Sequence, residues 1–167
     1  MIDLPQLNLP PATLHVREPL SPGGRASVLC LCRRRYVALT PEEWVRQNFI
    51  SLLVSRLGYP QGLVAAEMPV DVNGLRQRAD IVVFSRQMRP LVIVECKAPH
   101  VTLSQVTLNQ ACRYLSAIGS VAVALTNGMD HYCVTRAADG SARFLQHIPT
   151  WDEVNALVAA NGALAKE

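Results

Sequence analysis

No Cys-x-x-Cys pair occurs in this chain of 167 residues, and its five cysteines, Cys30, Cys32, Cys96, Cys112 and Cys133, are odd in number and irregularly spaced. A disulfide framework or a zinc site would want regular spacing or nearby histidines, so the thiols read as buried groups of a reducing compartment. Cys30 and Cys32 would point the same way on one strand, which keeps a metal or redox role open for that pair. No apolar run is long enough to span a bilayer, so no membrane association is expected. Residues 1–12 carry three prolines and no basic-then-apolar pattern, so no secretory signal is recognised and a cytoplasmic location is expected. Charge is also scarce. Only 17% of residues are charged against 50% hydrophobic, which argues against general disorder and supplies a sizeable core. The formal net charge of +3 permits a polyanionic partner without demanding one. There is no internal repeat, low-complexity tract, helix-turn-helix or finger motif. The length suits one compact domain and leaves no room for a translocase motor or a methyltransferase.

What is present reads as alternating elements. Residues 1–23 hold five prolines and predict an extended N-terminal arm with a short strand at Thr13–Arg17; residues 24–167 read as a single domain. Val28–Leu39, interrupted by Arg33-Arg34-Arg35, predicts one strand or a pair of short ones. Thr40-Pro41-Glu42-Glu43 has the form of a capping box, and Val45, Phe49, Leu52 and Leu53 follow at helical spacing up to Gly58. Leu63–Val70 predicts a strand, Asn73-Gly74 a hairpin turn, and Arg78–Phe84 and Leu91–Lys97 two further strands. The runs Ile81-Val82-Val83-Phe84 and Leu91-Val92-Ile93-Val94 imply strands covered on both faces. Ser104 caps a second helix to about Ile118, with Leu108, Ala111, Cys112, Leu115 and Ile118 as its buried side. Strands at Val121–Thr126, His131–Arg136 and Arg143–His147 follow. Thr150-Trp151-Asp152-Glu153 then caps a terminal helix to about Ala160. The order predicts an α/β fold of three layers, a central mixed sheet flanked by helices.

The chemistry concentrates in Arg78-Ala79-Asp80-Ile81 and Val94-Glu95-Cys96-Lys97-Ala98-Pro99. Glu95 and Lys97 are two apart on a strand and share a face, and Asp80 approaches them if its strand is the neighbour. Two carboxylates, with the main-chain carbonyl of Cys96, make an oxygen-rich site suited to Mg²⁺, with Mn²⁺ as a substitute. A lysine beside such an ion can activate water and balance charge on a phosphorane-like transition state. Together these groups suit phosphodiester hydrolysis. The plain alternative is a strand-end ion pair on a solvated rim. Burial at the end of an apolar strand counts against it, because an unpaired buried charge costs several kcal/mol.

These segments resemble the PD-(D/E)XK nuclease superfamily, and in particular the N-terminal nuclease domain of type I restriction enzyme R (motor) subunits. The likeness runs from about Leu39 to Gly128 and rests on several segments in order. They are Thr40-Pro41-Glu42-Glu43-Trp44-Val45-Arg46-Gln47, Gly58-Tyr59-Pro60, Arg78-Ala79-Asp80-Ile81, Glu95-Cys96-Lys97-Ala98-Pro99, Gln110-x-x-x-Tyr114 and Thr126-Asn127-Gly128. Ala79 stands where the superfamily is named for proline. The resemblance implies a restriction-endonuclease-like fold, Asp80 and Glu95 as metal ligands, Lys97 as the catalytic lysine, and Gln110 and Tyr114 as an accessory pair supporting substrate placement. It also implies an acid from the first helix; Glu42 and Glu43 both qualify, and the capping box explains Glu43 structurally. Glu67 is a further acid for the site's surroundings, and Arg78 is a candidate for phosphate contact or a carboxylate partner. Arg33–Arg35 fit either DNA backbone or solvent, His100 could lie near the site, and Trp44 and Trp151 read as packing residues. DNA is the expected partner, RNA remains open as a substrate, and other restriction or repair subunits and a dimer are compatible. The alternative is a catalytically inert nucleic-acid-binding or partner-binding module with the same fold.

Overall fold

The computed structural model describes residues 4–137 and 139–164. β1 (Val16–Arg17), β2 (Ser27–Cys30) and β3 (Arg35–Ala38) form a small antiparallel sheet. The arginine run makes its second turn, with Arg34 in the left-handed region at φ 51°. The interrupted strand signal is therefore a hairpin. A six-stranded sheet follows in the order β4 (Val64–Val72), β5 (Leu75–Phe84), β6 (Pro90–Cys96), β7 (Ala122–Thr126), β8 (His131–Arg136) and β9 (Ala142–Leu145). Every pairing in it is antiparallel except β6 with β7. That parallel step needs a crossover, and α2 (Gln105–Ala117) supplies it.

Two apolar layers sandwich the sheet. On one face α1 (Pro41–Ser55) and α3 (Trp151–Leu164) bring Val45, Phe49, Leu53 and Val154 against Ile81, Val83, Val92 and Val94. On the other, α2 lays Leu108, Ala111 and Leu115 on Val82, Ile93, Val123 and Leu125. This is the three-layer mixed α/β architecture expected from the sequence. The continuous apolar runs are covered on both sides: Ile81, Val82, Val83, Ile93 and Val94 are fully buried.

Several boundaries differ from expectation for local reasons. β4 and β5 run to the turn itself, because Asn73 (φ 54°) and Gly74 (φ 80°) close a tight two-residue hairpin. β6 ends at Cys96, although the Lys97 amide continues the ladder by donating to Thr126 O (2.8 Å). β9 stops at Leu145, and His147 instead meets Glu153 (3.0 Å) beside the cap of α3. On α2, Cys112 and Ile118 are only partly buried, and Tyr114 takes the buried position. All five cysteines are free thiols.

The extended N-terminal segment lies on the domain. Leu7 joins the core, the Asn8 amide donates to Gly128 O (2.8 Å), and Trp44 Nε1 donates to Pro5 O (3.1 Å). The left-handed backbone at Gly128 (φ 84°) favours glycine, and a Cβ there would also press on a Leu7 methyl at 2.8 Å, which would have to shift. Among the described residues no helix is long and apolar enough to cross a membrane.

Candidate active site

The site begins where two paired strands separate. β5 and β6 are in register as far as Ile81↔Val94, after which β5 stays with β4 and β6 stays with β7 up to Cys96↔Thr126. The Cys96 amide thereby loses its backbone acceptor on the β5 side. Asp80 Oδ2 replaces it, accepting from Cys96 N at 2.8 Å. Separation of the strands thus fixes the Asp80 carboxylate at the mouth of the gap, next to Glu95.

Glu95 stands on the α2 side of β6. The Tyr114 hydroxyl donates to its Oε1 (2.8 Å), and Gln77 Oε1 lies 3.5 Å from the same hydroxyl. Burial first, and then the charge of Asp80 beside it, push the Glu95 carboxyl up to about 7; the Tyr114 hydroxyl and the Lys97 charge oppose this. Burial and the Glu95 charge raise Tyr114 as well, so its hydroxyl remains a donor. Lys97, half-buried, has no carboxylate within ion-pair distance among the described residues. Gln110 does not join this group. It is exposed one turn from Tyr114 and has no side-chain hydrogen bond among the described residues. Of the accessory pair implied by the resemblance, only Tyr114 reaches the site: it is 5% exposed, its ring packs in the α2 layer and its hydroxyl reaches Glu95.

The other side of the gap is held from α1. Thr40 Oγ1 accepts from the Glu43 amide (3.0 Å), but the Thr40 amide donates to Ala38 O, so only half of the expected capping box forms. The Glu43 carboxylate is free to turn inward. It pairs with Arg46 and accepts from Gln47 Nε2 (2.7 Å), buried, whereas the Glu42 side chain is 44% exposed. Of the two helix glutamates, Glu43 faces the cluster.

Arg46, present in the sequence only as one residue of a longer family-like segment, is the centre of the cluster. Its side chain is 5% exposed; Nη2 donates to Asp80 Oδ1 (2.6 Å) and to Glu42 (3.0 Å), and Nη1 pairs with Glu43 and lies 3.9 Å from Glu67. Burial lowers the Arg46 pKa, but the charges of Asp80 and Glu43 outweigh it and raise the net value. A sequence signal for it exists: Arg46 lies on the same helical face as the buried Ile50 and Leu53, three and four residues from the glutamates. A charge on a buried stripe asks for partners.

Glu67 falls at a break in the β4–β5 ladder, between the pairs Ala66↔Ile81 and Met68↔Ala79, and adopts φ 53°. Such backbone costs on the order of 1–3 kcal/mol for a residue with a side chain and persists where its surroundings hold it. Here Arg33 pairs with Glu67, and Arg78 approaches it at 3.4 Å although 71% exposed. Arg33, for which the sequence left DNA backbone and solvent equally open, also lies 3.8 Å from Glu43. His100 is exposed, and His131 is held structurally between Thr126 (2.7 Å) and Asn8 O (3.0 Å). An apolar hollow of about 340 Å³ beside α3, lined by Leu145, Pro149, Ala156 and Leu157, contains none of the cluster. The candidate site is an open sheet end.

A solved fragment from Vibrio vulnificus YJ016, assigned as an HsdR subunit of a type I restriction enzyme, is 20% identical and covers 71% of this chain with a TM-score of 0.50. The match takes in 26% of that chain, so the present chain corresponds to about a quarter of its length. This likeness is one of fold, and it gives the architectural class: a three-layer α/β domain around a six-stranded mixed sheet. No curated protein matches the chain. Residues 41–149 match the family described as the type I restriction enzyme R protein N terminus, and the chain belongs to that family. The matched span includes Glu43, Arg46, Glu67, Asp80, Glu95, Lys97 and Tyr114.

Proposed function

We propose that the chain is a divalent-metal-dependent DNA endonuclease domain of the PD-(D/E)XK type, acting as part of a restriction system. The observation that carries this reading is the approach of the Asp80 and Glu95 carboxylates at the point where β5 and β6 separate, with Lys97 two residues beyond Glu95. Like charges brought together in a half-buried place are costly, and a divalent cation offsets that cost.

The donor chemistry fits Mg²⁺. Among the described residues no group of three or more His, Cys, Asp or Glu side chains is placed to hold a metal ion by itself. Mg²⁺ is usually held by one or two carboxylates, with water and substrate phosphate completing its shell. Asp80 and Glu95 would hold it, with the Cys96 main-chain carbonyl as a third oxygen. When bound, it would polarise the scissile phosphodiester and lower the pKa of the attacking water. The chain's own groups do the rest. Tyr114 fixes the rotamer of Glu95, and the Cys96 amide and Arg46 fix that of Asp80. The Lys97 ammonium orients water and balances charge developing on the phosphoryl oxygens.

The specific support for the rival reading, an inert nucleic-acid-binding module, is Arg46, which already gives Asp80 a cation. Supercoiled plasmid with Mn²⁺ separates the two. Wild type should nick it, and Lys97→Ala should lower the rate at least about a hundredfold, the lower end of what general acid–base and charge-stabilising groups contribute. Equal nicking by both proteins removes the mechanism, and nicking by neither leaves the inert module. DNA and the other subunits of a restriction complex are the proposed partners.

A further inference from the structure

Outward from Asp80 along β5, Ala79 is fully buried in the α2 layer, and Gln77 lies beside the Tyr114 hydroxyl. Strand alternation therefore sends Arg78 and Arg76 to the opposite face. Both are exposed, as are Pro69 and Asp71, their register partners on β4. The turn between β2 and β3 arrives at the same place. Arg33 from that turn and Arg78 from β5 share the Glu67 carboxylate, which brings the turn carrying the exposed Arg34 to this end of β5 although it is remote in sequence. Among the described residues neither Arg34 nor Arg76 has a carboxylate within ion-pair distance. Asp71, the acid opposite Arg76, spends an oxygen on the Gly74 amide (2.8 Å).

We infer that Arg34, Arg76 and Arg78 form a rim that grips the phosphodiester backbone of the DNA strand presented to Asp80, Glu95 and Lys97. The inference rests on the nuclease reading above and adds to it how the substrate is held. Alternate strand residues are about 7 Å apart, a spacing comparable to that of successive phosphates along one nucleic-acid strand. The planar guanidinium matches phosphate geometry and keeps its charge at any working pH. Glu67 is the joint, tying the two basic segments together at the edge of the acid cluster. Arginine–phosphate pairs of this kind supply affinity and register without reading sequence. That agrees with a sequence that shows no helix-turn-helix or finger motif.

The test is binding of a fluorescently labelled DNA duplex to the full chain in EDTA, where cleavage is blocked, across a salt series. Removing one arginine that neutralises a phosphate should lower the slope of log K against log salt by about 0.9. The Arg76→Ala/Arg78→Ala double variant should therefore lose about 2 from the slope and weaken binding equally for unrelated sequences. Arg34→Asn, a residue that tolerates the left-handed turn, should lose about 1. Arg143→Ala, on β9 at the far edge of the sheet, should match wild type. Circular dichroism and the unfolding midpoint, unchanged for these exposed substitutions, exclude misfolding as the cause. Slopes for the rim variants equal to wild type, while wild type binds and nicks, overturn the rim alone. Failure of wild type to bind DNA even at low salt overturns both the rim and the nuclease reading.

Discussion

Glu95 is the residue whose chemistry depends most on its neighbours. Burial and the Asp80 charge hold its carboxyl at about 7 against an ordinary value of 4.5. The folded state thus binds this proton more tightly than the unfolded chain does. The stabilising contribution is complete below the unfolded value and is lost as the pH rises through about 7. In the metal-free protein, Glu95→Gln should therefore unfold like wild type near about pH 4 and become progressively more stable than wild type up to about pH 7.5. Glutamine keeps an acceptor for the Tyr114 hydroxyl, so the comparison isolates the charge. Parallel denaturation midpoints of the two proteins across that range would show that neither burial nor the Asp80 charge raises the Glu95 carboxyl.

At the scale of elements, the site exists because β5 leaves β6 and because α1 crosses the opening. Only Arg46 among the α1 side chains touches both Glu43 and Asp80, joining helix to sheet through side chains that are 5%, 6% and 14% exposed. Removing one partner of such a buried network leaves the other charges uncompensated, at a cost of about 3–5 kcal/mol. Arg46→Ala should lower the unfolding free energy by about that amount in urea titrations at neutral pH, and an unchanged midpoint would show that the acids need no internal cation. The sequence displayed α1 clearly, through its Thr40 cap and apolar stripe, yet the same cap hid the role of Glu43. A capping box and an inward-facing acid call for the same residue type at the same position, and the Thr40 amide bond to Ala38 O together with the Glu43 contacts to Arg46 and Gln47 separates them.

Across the whole molecule, the layer between the sheet and α1 extends into the N-terminal segment. Leu7 is 9% exposed and packs where the 126–128 turn meets α1, against Gly128 and Val45. Leu7→Ala should cost about 2 kcal/mol, near the low end for a buried leucine because the segment can settle into the space. A single cooperative transition shifted by that amount, followed by tryptophan fluorescence, is the expected result, since Trp44 also bonds to this segment through Pro5. A change in fluorescence at low urea that leaves the main transition in place would mean that the segment docks independently of the core.

The sequence by itself determined the layers. Continuous apolar runs at Ile81–Phe84 and Leu91–Val94 require cover on both faces, and helical stripes with caps at Thr40, Ser104 and Thr150 provide it. It also determined the spacing that puts Glu95 and Lys97 on one side of a strand. Tertiary structure alone decided which charges meet. Arg33, Arg46, Glu67 and Asp80 come from a turn, a helix and two strands. Their convergence depends on where β5 separates from β6 and on the left-handed turn of the chain at Glu67. Periodicity reports burial through local geometry, whereas ion pairing between distant segments depends on register and strand separation, for which no short window of sequence carries a signal.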